Sequence, residues 1–170
     1  MQAGTQLYRQ GRFEEAAACF AEAQSAFAAV ANVKEMAEAA NNRGVCWRQA
    51  AHWDKAYAAF GEARAGFQSI QDVAGEGQVV GNLGALADSE GRPDQAVAYY
   101  EEAIRLLESA GERDLAQATY TALSRLKMKQ GNWLGAIDAY ESGLAKVERP
   151  SVVQRILRRF LRVPKKLGGG

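Results

Sequence analysis

The chain repeats itself every 40 residues, four times over. With Gly11, Ala51, Gly91 and Gly131 in register, the next columns read Phe13, Trp53, Pro93, Trp133, then Ala16, Ala56, Ala96, Ala136. After them come Phe20, Phe60, Tyr100, Tyr140, and Ala23, Ala63, Ala103, Gly143. Seven residues before the first column stand Gly4, Gly44, Gly84 and Ser124. A fixed period of this length predicts stacked copies of one supersecondary unit rather than a single closed core. Stacked copies offer a long concave surface lined by equivalent positions, so the expected class of function is binding.

Each copy reads as two antiparallel helices. Ala16, Phe20, Ala23 and Phe27 recur at i, i+4, i+7, i+11, which lines one helix face. The later copies carry the same face as Ala56, Phe60, Ala63, Phe67, as Ala96, Tyr100, Ala103, Leu107, and as Ala136, Tyr140, Gly143, Val147. Small residues admit a close neighbour and the aromatics fill the remaining gaps. Gly44 and Gly84 lie inside stretches of helix formers, where glycine costs about 1 kcal/mol against alanine. Their recurrence at one phase predicts close helix contact there. Pro93 belongs in a first turn, where its missing N–H is not needed. The expected pairs are 1–10 with 13–29, 35–50 with 53–69, 74–90 with 93–109, and 114–130 with 133–147.

Charge is divided unevenly along the chain. From Arg149 onward there are seven basic residues and no acidic one, which leaves 14 basic against 20 acidic residues in 1–148, a net of −6. The acidic body and basic end imply a charged partner, or an end that folds back on the body. No apolar run approaches the ~18 residues a bilayer crossing needs. MQAGTQLYRQ lacks the pattern of a signal peptide. Cys19 and Cys46 have no metal-like spacing and read as small buried apolar filler in a reduced, cytoplasmic protein.

These columns resemble the tetratricopeptide repeat (TPR). Gly44, Ala51, Ala56, Phe60 and Ala63 match its small–turn–alanine–aromatic–alanine series, as do Gly84, Gly91, Ala96, Tyr100 and Ala103. The 40-residue period is similar to the long-repeat variety of kinesin-light-chain-like and LGN-like adaptors rather than the common 34-residue one. Asn32, Asp72 and Gly111 mark the breaks where that family commonly has proline, and Arg43 and Lys127 fall at positions often apolar in it. The resemblance implies an all-α, right-handed α-solenoid of four helix-turn-helix repeats, about 1–32, 33–72, 73–112 and 113–149 within residues 1–150. A capping helix over 151–164 and a flexible tail over 165–170 would follow.

In such proteins the first helices line the concave groove. That assigns the groove Gln2, Thr5 and Arg9 in the first copy and Glu38, Asn42, Val45 and Gln49 in the second. The third supplies Gln78, Asn82, Ala85 and Ser89, and the fourth Ala118, Ala122, Arg125 and Lys129. The next position gives Tyr8, Arg48, Asp88 and Met128. Gln2, Asn42 and Asn82 share one column. An amide both donates and accepts, so a row of them can hold a peptide main chain whatever its sequence. The resemblance implies that role for Asn42 and Asn82; the alternative is that they tie adjacent helices together. Arg9, Arg48, Arg125 and Lys129 outnumber Glu38 and Asp88, which favours an acidic peptide or a free C-terminus.

Over Ser151–Val163, Val153, Ile156, Leu157, Phe160 and Leu161 form an apolar stripe opposite Arg155, Arg158, Arg159 and Arg162. A cap on the last repeat, a contact with an anionic membrane surface, and a contact with another chain all fit this pattern.

No catalytic constellation is evident. His52 is the sole histidine and falls in a turn, no phosphate loop or nucleophile elbow is present, and Glu14-Glu15 suits a helix start. The expected protein is a non-enzymatic, cofactor-free, monomeric scaffold or adaptor that binds a peptide or protein segment and not nucleic acid. A self-assembly module and a membrane-associated adaptor are the alternatives.

Overall fold

The structure, a computed structural model, describes residues 1–145. All regular structure among them is α-helical: α1 Gln2–Arg9, α2 Phe13–Ala29, α3 Val33–Gln49, α4 Trp53–Ser69, α5 Val73–Ser89, α6 Pro93–Ser109, α7 Arg113–Lys129 and α8 Trp133–Ala145. The capping helix and tail expected over 151–170 lie outside the described residues. The chain divides into two compact units, Met1–Glu112 and Arg113–Gly170.

Helix ends recur every 20 residues for a reason in the backbone. Residues 11, 31, 51, 71, 91, 111 and 131 all take positive φ, from 53° to 79°. At each, that residue's N–H donates to the carbonyl three back, and the following N–H to the carbonyl five back. In the first turn these are Gly11 to Tyr8 at 3.0 Å and Arg12 to Leu7 at 3.0 Å. The arrangement satisfies carbonyls that the helix end leaves open, and it reverses the chain. The next helix starts at once. Asn32, Asp72 and Asn132 each accept, through the side chain, the backbone N–H three residues on. Pro93 occupies the first turn of α6.

In the first unit the hairpins are α1–α2, α3–α4 and α5–α6, with α3 also packed on α2, and α5 on α4 and α3. The glycine column explains the close approach within each hairpin. A Cβ at Gly44 would stand 2.6 Å from the Phe60 ring, one at Gly84 2.7 Å from the Tyr100 ring, and one at Gly4 3.0 Å from the Phe20 ring. Each aromatic therefore lies flat against helix backbone, and all three are buried. Around Phe60 the core gathers Ala37, Ala40, Ala56, Ala63, Phe67, Val79, Leu83 and Leu86. Polar ties run within a hairpin and between hairpins. Glu62 accepts from Gln24 at 2.7 Å and from Arg43 at 2.8 Å, and Arg64 reaches both Glu76 and Glu102. Arg43 is thereby held with its side chain 18% exposed, its charge paired rather than extended into solvent.

The second unit holds the hairpin α7–α8. Ser124 stands in the glycine column here, and its hydroxyl donates to the Ala136 carbonyl at 2.8 Å, so a buried polar group is satisfied. Trp133, Leu134 and Ile137 of α8 are 61%, 83% and 43% exposed.

Candidate functional site

α1, α3 and α5 share one face of the first unit. Gln49 of α3 donates to the Tyr8 hydroxyl of α1 at 3.1 Å, and Asn82 of α5 donates to Asn41 of α3 at 2.8 Å. Between α1 and α3 opens a cleft of about 150 Å³ lined by Thr5, Tyr8, Phe20, Asn42, Val45 and Cys46.

The cleft has an apolar floor and a polar rim. Phe20 and Cys46 are buried in the cluster that joins α1, α2 and α3. Burial pushes the Cys46 thiol up to about 11, so at neutral pH it is a packed, uncharged floor and not a nucleophile. Val45 is half-buried on the same floor. On the rim, the Tyr8 hydroxyl and the Thr5 hydroxyl are each engaged, by Gln49 and by the Met1 carbonyl. The Asn42 amide lines the cleft and makes no hydrogen bond to another described residue.

The amide column is not uniform in use. Gln2 is exposed on α1, Asn42 faces the cleft, and Asn82 spends one N–H on Asn41, which is 6% exposed. Asn82 therefore acts as a tie between neighbouring helices, while Asn42 keeps its donor and acceptor capacity. Asn41 is a participant that helical phase alone did not single out; its signal was the Asn41-Asn42 pair, of which one member must face inward.

Charged positions on this face interact at short range. Arg48 is half-buried and its Nε is buried with no hydrogen-bond partner. Burial pushes the Tyr100 hydroxyl up to about 12, with Asp88 raising it further and Arg48 lowering it, so both charges act on that buried phenol. Glu38 is half-buried; desolvation and then the charge of Glu35 raise its pKa, as Asp72 does, against a smaller opposing effect of Lys34. Gln78 and Ser89 are exposed, Ser89 donating to the Ala85 carbonyl of its own helix at 2.8 Å, and Ala85 is half-buried. Arg125 and Lys129 are exposed on α7, in the second unit. Arg155, Arg158, Arg159 and Arg162 lie outside the described residues.

His52 precedes α4 in a turn, its ring edge-on to Trp47 at 5.3 Å between centroids, and 3.8 Å from Glu14. Cys19 is half-exposed, which corrects the expectation that both cysteines are buried filler. It stands one residue off the face that α2 turns to the core. No described helix is long and apolar enough to cross a membrane.

The family described as soluble NSF attachment protein, SNAP, matches residues 1–159. Among solved structures, BtubC (BKLC) from P. vanneervenii is similar at a TM-score of 0.72 and 20% identity. The likeness covers 88% of this chain and 66% of that one, so the chain spans slightly less than two thirds of BtubC. Both likenesses are to TPR-like helical-repeat proteins, and the second is one of fold. No curated protein matches the chain.

Proposed function

The chain belongs to the soluble NSF attachment protein family, and from that premise we propose that it is a non-enzymatic protein-interaction module that binds an extended peptide segment along α1, α3 and α5. The observation that carries this reading is the unengaged Asn42 amide over the apolar floor of Phe20, Val45 and Cys46. A peptide laid there exchanges one main-chain N–H and one C=O with Asn42 and sets an apolar side chain on the floor. Gln2, Gln49 and Gln78 extend the polar rim, and Ala85 and Ser89 continue it on α5. Arg48, half-buried on this face, supplies a cation for an acidic side chain or a terminal carboxylate. Asp88 and Glu38 set the opposing charge that limits how acidic the segment is. The protein acts as a cytoplasmic monomer, needs no cofactor, and its partner is protein rather than nucleic acid.

The test is a displayed library of random peptides panned on the full chain, followed by calorimetric titration of selected sequences. Asn42→Ala is expected to weaken binding by about 2–10-fold, the worth of one or two net hydrogen bonds. Asn82→Ala is expected to weaken it less and to lower stability, because its amide already serves Asn41. Full affinity in a well-folded Asn42→Ala protein, or no peptide recovered from panning, would sink the reading.

A further inference from the structure

One buried column of the first helices changes size along the chain. In α3, α5 and α7 it holds Cys46, Leu86 and Leu126, which are 0%, 0% and 2% exposed. Leu86 belongs to the cluster around Phe60, and Val45 of α3 packs against that cluster. An isobutyl group thus fills the space where α3 and α5 meet. Cys46 offers only a thiol in the same position, buried among Ala16, Ala17 and Phe20. The two alanines are too short to make up the missing volume, and interiors of this kind are otherwise closely filled. The cleft between α1 and α3 opens beside that thiol, and Cys46 is part of its lining.

Size and lining decide what such a cleft takes. Its volume of about 150 Å³ is on the scale of an apolar cavity that holds one benzene ring. None of the described residues that line it is charged. An ionised side chain placed there would lose its water without gaining a counter-charge. The apolar surface comes from Phe20, Val45 and Cys46, and the polar groups of Thr5, Tyr8 and Asn42 stand at the rim, where a main chain passes.

We propose that Cys46 is the specificity-determining residue of this face: by standing where α5 and α7 place leucine, it admits one uncharged apolar side chain, of leucine, methionine or phenylalanine size, from the bound segment. This rests on the peptide-binding reading of the face. It adds that the apolar anchor is a single side chain, taken at the α1–α3 junction, and selected by the volume at position 46 rather than by thiol chemistry.

The test uses peptides selected by panning on the full chain, titrated calorimetrically against wild type, Cys46→Leu and Cys46→Ala. Leucine is what this column already carries at 86 and 126, so Cys46→Leu plugs the cleft with a residue that the repeat accommodates. Replacing a peptide's apolar anchor by alanine is expected to weaken binding to the wild type about tenfold or more. Against Cys46→Leu the same replacement is expected to change binding less than about twofold, because the cleft is already filled. Cys46→Ala keeps the space, removes the sulfur, and is expected to bind as the wild type does. Benzene supplies a readout that needs no peptide: it is expected to shift the Val45 methyl resonances of the wild type and not those of Cys46→Leu. If Cys46→Leu does not fold, Thr5→Phe closes the cleft from its exposed rim and is expected to give the same losses. Equal anchor dependence in the wild type and a folded, plugged variant would overturn the proposal, as would benzene shifts that are absent from the wild type or unchanged by plugging. A benzene response that plugging removes, with no peptide recovered from panning, would sink the peptide reading while upholding Cys46 as what sets the volume of the cleft.

Discussion

At Ala31, Ala51 and Gln71 an L-residue stands where four other turns place glycine, with φ of 53°, 57° and 58°. A Cβ in the left-handed region meets the following carbonyl and costs roughly 1–2 kcal/mol, which glycine avoids. Ala51 is exposed, so its side chain contributes little packing to set against that cost. Ala51→Gly is therefore expected to raise unfolding free energy by about 1 kcal/mol in urea denaturation, less the extra entropy glycine gives the unfolded chain. The converse change, Gly91→Ala, is expected to lower it by a similar ~1 kcal/mol, since nothing lies within 4 Å of the added Cβ and the effect is purely conformational. Glu38 offers a second residue-level test. Its folded pKa is raised by desolvation first and by Glu35 next, so the folded state binds its proton more tightly than the unfolded state does. That preference stabilises the fold below the ordinary carboxylate pKa and is lost as pH rises through the raised value. Glu38→Gln is accordingly expected to raise Tm at about pH 7 and to have little effect near pH 3, below the ordinary glutamate pKa of ~4.3. An equal gain at both pH values would mean that the amide helps by some route other than removing a desolvated charge.

Between elements, the governing device is a glycine in one helix that lets an aromatic of the next lie on its backbone. Gly44→Ala puts a methyl 2.6 Å from the Phe60 ring, a distance at which something must move. Because Phe60 is fully buried and enclosed by Ala56, Ala63 and Val79, it has little room to give. The expected cost is roughly 1–3 kcal/mol, the range for overpacking a filled core. Gly44→Ala combined with Phe60→Leu should cost less than the sum of the two single changes, and a double-mutant cycle by chemical denaturation reads the difference. The column that holds Gly44 was legible in the sequence, because period and helical phase together put it opposite Phe60. The tie between Asn82 and Asn41 was not. Helical phase assigns a side chain to a face, but it does not say whether an amide at the boundary of two faces turns toward a neighbour or toward solvent. Asn42 and Asn82 share a column and differ in partner because the residue 41 positions before Asn82 is Asn41, whereas the residue 41 positions before Asn42 is Met1, which has no side-chain acceptor of that kind. Likewise, the turns at Gly11, Gly91 and Gly131 announce themselves by the glycine, whereas those at Ala31 and Gln71 are marked only by the Asn32 and Asp72 that follow, because alanine and glutamine do not ask for a left-handed backbone.

Over the whole molecule, a row of hairpins has no central core, so its stability is set by each hairpin and its contacts with the next. The period that made the all-helical fold legible therefore also says how damage spreads. In the first unit, Phe60 belongs to the second hairpin, yet its cluster includes Val79, Leu83 and Leu86 of α5. Removing the ring leaves Gly44 facing a void and strips contacts from both hairpins at once. Phe60→Ala is expected to cost about 3–5 kcal/mol, the range for truncating a buried aromatic. The distribution of that cost is the sharper prediction. Native-state hydrogen exchange should lose protection across α3, α4 and α5 together, because one cluster joins all three. α7 and α8 should keep theirs, because their hairpin is closed by its own Ser124–Ala136 bond and its own buried residues, Ala116, Leu123, Leu126 and Ala136. A uniform loss over all eight helices would mean that the chain unfolds as one cooperative body. Nearest-neighbour packing would then be the wrong description of what holds the repeats together.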